Sequence, residues 1–443
     1  MSLPRPLFFA LTMRKVLARG GAQSLSTVPS GYTGIYNFSQ LIAINTNETT
    51  LSGKYILMSD ITFTEQNNKD FVPIGALDLY PEIGHFTGVF DGNNHKIIGV
   101  NLNNQNHVGD ARIGFFGSIE NAEIRNLGVV NSTVALTNNI EKRIVWAGGI
   151  VYGASNSTIE NCFFNGSVTA TDEVGQAAQA GGIVCIALNS TIKNCYNSGN
   201  VLTSYGPCSG GVVGWASWST IENCFNTGSV TTYGAKGGTG LCGTGGIIGS
   251  AAEVTIKNCY NVGLVTATPT SDGKVTVGGI IGGAWVAYGE IDKSIMSNCY
   301  FLEGKVSGNN MLDNENVSSV LIIDDGTARG NQKSGAKTAT QMAPTLGNAR
   351  SGNSIFYVGG GGWDFSANGV WTIVNGENNG YPILRSVATD SLNLGGTDSG
   401  EEGEEKGGDN GVQLDAVTLV AIAAGAVTAI AAAGYFVFLR SKP

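Results

Sequence analysis

The tetrapeptide Gly181-Gly182-Ile183-Val184 is followed by the triplet Asn194-Cys195-Tyr196, so that Cys195 lies 14 residues after Gly181. This combination of tetrapeptide and triplet decides the fold because it recurs along the chain. The other Gly-Gly-aliphatic copies begin at Gly148, Gly210, Gly245 and Gly278. Their Asn-Cys-aromatic triplets are Asn161-Cys162-Phe163, Asn223-Cys224-Phe225, Asn258-Cys259-Tyr260 and Asn298-Cys299-Tyr300. A repeat of about 30 residues predicts stacked supersecondary units rather than several separate domains.

One part of the repeat has a fixed length and the other varies. The first Gly and the Cys are 14 residues apart in four copies and 21 apart in the fifth, whereas the Cys and the next Gly pair are 19, 15, 21 and 19 residues apart. A coil with one stacked arc and one free loop shows this pattern.

The fixed arc contains short runs of Val, Ile, Thr, Phe and Tyr broken by Gly, Asn and Ser, with no apolar stripe at helical spacing. This composition predicts three strands per copy, in the first copy around 148–153, 158–163 and 166–171. Stacked coils of this kind form an all-β, right-handed parallel β-helix, each rung pairing with the rungs above and below.

Stacking places the same residue type at the same point of every coil. We expect interior columns of Ile and Val, an amide ladder of Asn at a turn, and a stack of aromatic rings. These columns contain, respectively, Ile159, Ile192, Ile221 and Ile256; Val168, Val201, Val230, Val265 and Val306; Asn161, Asn194, Asn223, Asn258 and Asn298; and Phe163, Tyr196, Phe225, Tyr260 and Tyr300. Each has a structural explanation, so none is evidence for catalysis.

These repeats resemble the GLUG-motif repeat family of microbial adhesin-like surface proteins, over most of residues 85–308. Residues 86–92 are similar to the family's first coil, and 371–376 with 381–384 are similar to its closing segment. The resemblance implies a surface location and no single activity. Some members carry a secreted zinc peptidase domain, which needs a His-Glu-x-x-His helix, and this chain has no such motif.

The charge of the chain is concentrated in one segment. Of 443 residues, 13% are charged and 42% are hydrophobic, and the net charge is −9. Residues 390–415 hold eight acids and one base, which is −7 of that total. The remainder is nearly neutral, so a nucleic-acid partner is excluded and any selectivity is expected from shape, hydrogen bonds and aromatic stacking.

The ends of the chain predict a membrane anchor. Residues 1–30 are a leader of uncertain nature, 31–308 the β-helix with clear copies over 147–308, 309–386 its closing segment, and 387–415 an acidic Gly-rich stalk. Residues 416–439 have no charge and are long enough for a single transmembrane helix, followed by a cytoplasmic tail, 440–443. Because Arg440 and Lys442 follow the span, we expect a single-pass protein of the cell membrane with the bulk of the chain extracellular.

Several residues are candidates for a disulfide, a metal site or a catalytic site. The five repeat cysteines are expected to be buried free thiols, while Cys208 and Cys242, in the variable loops of successive coils, are candidates for a disulfide. The histidines His85, His95 and His107 have no metal-ligand spacing, and the acids near the first coils, Asp60, Asp70, Asp78, Asp91 and Asp110, form no obvious pair. No catalytic residue, metal or cofactor is therefore predicted.

The sequence gives more support for binding residues than for catalytic residues. Trp215, Trp218 and Trp285 depart from the repeat consensus, and aromatic rings on the side of a β-helix stack on sugar rings. The alternative is that they fill corners of the coil. The sequence thus predicts a membrane-anchored adhesin-like protein that binds an extracellular glycan or surface protein. A carbohydrate-active β-helix enzyme and a passive spacer of the envelope remain as alternatives.

Overall fold

The structure is a computed structural model. It describes residues 24–76, 84–104, 111–138, 144–173, 178–204, 208–235, 243–269, 276–284, 294–307, 311–312, 321–322, 335–344, 349, 354, 356, 363–366, 369–374 and 378–387. The chain divides into the units Met1–Leu394 and Gly395–Pro443, and all described residues belong to the first.

Four parallel sheets wind through the described residues, and each complete coil contributes to all four, named here S1 to S4 in the order in which a coil meets them. In the five copies of the repeat, the S1 strand ends at the first Gly of the Gly-Gly pair, and the S2 strand follows the pair. S1 consists of Ala111–Ile113, Val145–Gly148, Ala178–Gly181, Cys208–Gly210, Gly243–Gly245, Thr276–Gly278 and Met311–Leu312. S2 consists of Phe116–Glu120, Val151–Ser155, Val184–Leu188, Val213–Ser217, Ile248–Ala252 and Ile281–Ala284.

S3 and S4 complete the coil. S3 consists of Thr33–Ile35, Lys54–Leu57, Val89–Asp91, Glu123–Arg125, Thr158–Glu160, Thr191–Lys193, Thr220–Glu222, Thr255–Lys257, Ile295–Ser297 and Leu321–Ile322. S4 consists of Ile61–Thr62, Lys96–Ile98, Asn101–Asn104, Gly128–Asn138, Phe163–Asp172, Tyr196–Asn197, Asn200–Ser204, Phe225–Asn226, Val230–Ala235, Tyr260–Asn261, Val265–Pro269, Tyr300–Leu302, Val306–Ser307 and Gly335–Lys337. The prediction of a parallel β-helix is confirmed, while its right-handed sense stays a prediction.

The prediction of three strands per copy is wrong, because one strand ends at the first Gly of each pair and another begins two residues after the second Gly. In the first copy the strands are Val145–Gly148, Val151–Ser155, Thr158–Glu160 and Phe163–Asp172. A Cβ placed on Gly149 would lie 2.1 Å from the carbonyl oxygen of Gly182 in the next rung. The pair therefore forms a corner at which successive rungs approach too closely for any side chain.

The interior is filled by the predicted aliphatic columns. Ile159 pairs in register with Ile192, and the column continues through Ile221 and Ile256 to Met296, every member fully buried. The valine column is equally buried from Val168 to Val265, while Val306 is only partly buried. Because each rung presents the same side chain at the same place, the core extends along the coil without gaps.

A short helical segment lies at the N-terminal end of the β-helix. Helix Phe38–Ile42 has Asn37 as its N-cap and continues into the 3₁₀ helix Ala43–Thr46. Leu41 is fully buried in the main core, and the Phe38 ring meets Phe63 edge-on at 5.2 Å. The segment thereby covers apolar side chains of the first rungs.

The remaining helices and strands are short. The helices are Glu48–Leu51, Glu65–Asp70 and Ala339–Met342, with 3₁₀ turns at Asn378–Gly380 and Arg385–Val387. Trp371–Thr372 and Ile383–Leu384 form an antiparallel pair. Among the described residues, no helix combines the length and apolar character that crossing a bilayer requires. The predicted transmembrane helix, residues 416–439, lies outside the described residues. The predicted tail also lies outside them, and so does the predicted stalk except for Val387.

Candidate functional site

The repeated asparagines form a turn ladder between S3 and S4. Asn161 Nδ2 donates to Asn126 Oδ1 at 3.0 Å and Asn194 Nδ2 to Asn161 Oδ1 at 3.1 Å, and the ladder continues to Asn298. All six backbones have φ of 52° or 53°, a left-handed conformation that asparagine tolerates better than other residues with side chains. At its first end, Asn126 donates to Asp91, so this acid closes the ladder.

The repeated aromatic side chains stack as predicted, but their outer side is covered. Phe163, Tyr196, Phe225 and Tyr260 lie 4.7–5.0 Å apart, centroid to centroid, with planes within 3° of parallel. Trp371 is fully buried against Phe225 and Tyr260, and its Nε1 donates to Asn223 Oδ1 at 3.3 Å. This column is therefore packed within the protein and offers no ligand platform.

The five repeat cysteines are free and fully buried. Each Sγ donates to the carbonyl oxygen two residues earlier, at 3.1–3.2 Å. Burial raises the pKa of the Cys162, Cys224 and Cys299 thiols well above the ordinary value. These three thiols are therefore protonated at neutral pH and act as small packing residues.

A second asparagine column, which the sequence analysis missed, lies inside the coil. Asn197 Nδ2 donates to Asn226 Oδ1 at 2.9 Å, and Asn226 Nδ2 to Asn261 Oδ1 at 2.8 Å, all three fully buried. Each also donates to the carbonyl of a Gly two residues later. The available signal was the Asn-x-Gly that follows the Cys-aromatic pair in these three copies.

Trp218 occupies a corner between S2 and S3 where other rungs have asparagine. The column is Asn121, Asn156, Asn189, Trp218 and Glu253, and all five have φ between 46° and 54°. Asn189 Nδ2 donates to Asn156 Oδ1 at 2.6 Å, so Trp218 ends an amide ladder. A bulky aromatic residue at positive φ is a conformational outlier, and the Trp218 side chain is 46% exposed.

Trp215 lies on the outer face of S2, in the same rung as Trp218. It packs, partly buried, in a small cluster outside the main core that is formed by Tyr152, Cys185 and Ile186, with Trp146 beside them. Burial raises the pKa of the Cys185 thiol strongly. Trp215 is therefore a packing residue on a sheet face, whereas Trp218, which lies at a corner, is half exposed.

The other predicted site residues are less completely described. Trp285 lies outside the described residues. Cys208 is disulfide-bonded, and its predicted partner, Cys242, lies outside the described residues, so that pairing stays a prediction. Nothing in the described part of the chain tests whether Trp215, Trp218 and Trp285 bind a ligand.

Of the candidate acids and histidines that are described, Asp60, Asp70, Asp91 and His95 have local contacts, whereas the buried Nδ1 of His85 has no hydrogen-bond partner. Arg125 Nε donates to Asp91 Oδ2 at 2.8 Å, and Asp60 Oδ1 contacts His95 Nδ1 at 3.1 Å. Gln66 Nε2 donates to Asp70 at 2.8 Å. Asp78, Asp110 and His107 lie outside the described residues, and within the described ranges no group of three His, Cys, Asp or Glu side chains is placed to hold a metal.

Charged side chains form a further row, on the outer face of S3. In register, Asp91, Arg125, Glu160, Lys193, Glu222 and Lys257 follow one another along six successive strands. Lys193 Nζ lies 3.0 Å from Glu160 Oε2. Opposite charges on neighbouring strands attract each other, whereas like charges placed opposite each other would repel. The row therefore stabilises the observed register and has a structural role.

Comparison with known proteins identifies the repeat. Residues 176–202 and 205–231 match the GLUG motif. Over 148 residues, 32% of this chain, the sequence is 28% identical to halomucin of Haloquadratum walsbyi (strain DSM 16790 / HBSQ001), of whose length the match covers 2%. A crystal structure described as a "putative immunoglobulin A1 protease" from Bacteroides ovatus aligns with 81% of this chain and 94% of its own, at 21% identity and a TM-score of 0.46.

Proposed function

We propose that this chain, a parallel β-helix that carries GLUG-motif repeats, is an adhesin-like surface protein. Its outer face would bind an extracellular glycan or a protein of another surface. The GLUG match supports a surface role and assigns no catalytic activity. A repeat coil supports this use because its stacked rungs hold outer side chains in fixed rows.

The observation that carries the proposal is Trp218. Its left-handed backbone costs about 1–2 kcal/mol for a residue with a Cβ, whereas asparagine at the same corner is better tolerated and joins a ladder. The residue is 46% exposed, so much of its apolar ring stays open to solvent. Backbone strain is concentrated at functional sites, and an exposed indole is the group that stacks on a sugar ring.

Anchoring to the cell membrane is part of the proposal. Its support is the uncharged segment from Ala416 to Leu439, followed by Arg440 and Lys442. In this arrangement the acidic segment 390–415 would separate the β-helix from the membrane.

The test uses the full chain, solubilised in detergent, on an array of glycans and on immobilised surface proteins. We expect binding to one class of ligand, weakened at least about fivefold in Trp218→Asn, since stacking on an aromatic ring contributes about 1 kcal/mol or more. Trp371→Phe is the matched control, because Trp371 is buried and should not contact a ligand.

The same preparation distinguishes the alternatives. Incubation with a panel of polysaccharides should yield no new reducing or unsaturated ends. Release of such ends would contradict the proposal and support a carbohydrate-active enzyme. A chain that neither binds nor cleaves would be a passive spacer.

A further inference from the structure

A second group of outer side chains lies in S1, in the rungs that precede the rung of Trp218. Trp146 pairs in register with Arg112 on one side and with Gln179 on the other, so the three form one row across successive strands, called here the Arg-Trp-Gln row. The residues that follow them, Ile113, Ala147 and Ala180, are buried in the main core. Because side chains alternate along a strand, the row faces outward.

The row places a cation against two aromatic rings. Arg112 Cζ lies 4.6 Å from the centroid of the Trp146 ring and 5.5 Å from that of Tyr152, and the two ring centroids are 6.1 Å apart. Arg112 and Tyr152 also line a shallow recess with Gly117 and Ser118 of S2. A guanidinium beside aromatic faces is suited to bind a carboxylate attached to a ring with an apolar face.

The buried Nε1 of Trp146 and the buried Oε1 of Gln179 have no hydrogen-bond partner. Trp146 Nε1 can only donate, and Gln179 Oε1 can only accept. They belong to residues that face each other on neighbouring strands. A single hydroxyl group can accept from the indole N–H and donate to the amide oxygen, so the pair has the chemistry to recognise a hydroxyl-bearing ligand.

From these contacts we propose that the Arg-Trp-Gln row binds an acidic sugar, a uronate residue of a polysaccharide chain. Its carboxylate pairs with Arg112 and one of its hydroxyls bridges Trp146 and Gln179. Because the guanidinium covers the Trp146 ring, the sugar reaches the indole as Arg112 turns outward to meet the carboxylate. The inference rests on the proposed function and names a ligand class for a second position on the same surface.

The experiment is calorimetric titration of the full chain with an oligogalacturonate and with its methyl ester, which removes the charge and keeps the ring. We expect the acid to bind more tightly than the ester. Arg112→Gln should weaken binding of the acid about tenfold or more and leave the ester unchanged, because a charge-assisted hydrogen bond is lost. High salt should reduce the same preference.

Conservative variants test the polar pair without removing the packing. Trp146→Phe keeps an aromatic ring and Gln179→Met keeps the volume, and each should weaken both ligands. The thermal midpoint of each variant, measured in parallel, reports whether the fold is intact. If Arg112→Gln lowers the midpoint while the ratio of acid to ester affinity stays at the wild-type value, the row is only a packing feature and the inference is wrong.

The outcomes also separate this inference from the function on which it rests. Binding of other glycans or of a surface protein, lost in Trp218→Asn, together with no binding of oligogalacturonate, would leave the adhesin proposal in place and overturn the acidic-sugar site. No binding of any ligand would overturn both.

Discussion

Trp218 has a backbone conformation that is unfavourable for its bulky side chain. Its φ of 49° is shared with Asn156 and Asn189 in the preceding rungs, whose side chains bond to each other. We expect Trp218→Asn to raise the free energy of unfolding by about 1 kcal/mol, because the left-handed strain is relieved and the ladder gains a member. Urea denaturation measures this, with Trp218→Ala as control. A loss of stability in Trp218→Asn would mean that the indole has a packing role.

Gly182 is required because the atoms around it leave no room for a side chain. A Cβ there would lie 2.1 Å from the Gly211 carbonyl oxygen and 2.5 Å from Asn197 Cγ. Gly182→Ala should therefore reduce the free energy of unfolding by about 2 kcal/mol or more. Gly153→Ala is the matched control, because its nearest neighbour would be Ser118 Oγ at 3.8 Å, and it should be nearly neutral. Equal losses in the two variants would contradict the steric explanation.

At the scale of the element, the thiol column makes stability depend on pH. Burial raises the pKa of Cys162, Cys224 and Cys299, so above about pH 8.5 the unfolded chain loses thiol protons that the folded chain retains. Stability is fully present below that pH and falls as the pH rises, by up to about 1.4 kcal/mol per pH unit for each thiol. Urea unfolding at pH 8 and pH 9.5 measures the slope. Cys224→Ala should reduce it, and an unchanged slope would exclude the thiols as its source.

The columns also show which elements a sequence can specify. Periodic residues such as Ile192 and Cys195 have one neighbour of the same type per rung, so period and spacing alone predicted the stacked coil. The sequence predicts one strand over 148–153 where the structure has two, and only the close approach of Gly182 to Gly149 reveals the corner between them. The Arg-Trp-Gln row was missed because Arg112, Trp146 and Gln179 share no residue type, and only the register brings them together.

At the scale of the whole β-helix, the segment that follows the repeats joins rungs that are not neighbours. Rungs of a solenoid contact only the rungs on either side, so an array can unfold in parts. Here Trp371 Nε1 donates a hydrogen bond to Asn223 Oδ1, and Trp363 Nε1 donates to the Asn298 carbonyl at 3.2 Å. Asn378 Nδ2 donates to Tyr260 Oη at 2.7 Å. One segment thus contacts three successive copies of the repeat.

Truncating Trp371 should therefore affect cooperativity as well as stability. The indole is fully buried, 4.4 Å from the Trp363 ring and about 6 Å from two rings of the aromatic column. We expect Trp371→Ala to lower the free energy of unfolding by about 3–5 kcal/mol. The substitution should also broaden or split the urea transition, because the rungs that this segment contacts lose a common contact. Trp218→Ala, which removes a half-exposed indole, should leave a single sharp transition. If Trp371→Ala shifts the transition without changing its width, the repeats are coupled through their own sheets, and the segment adds stability alone.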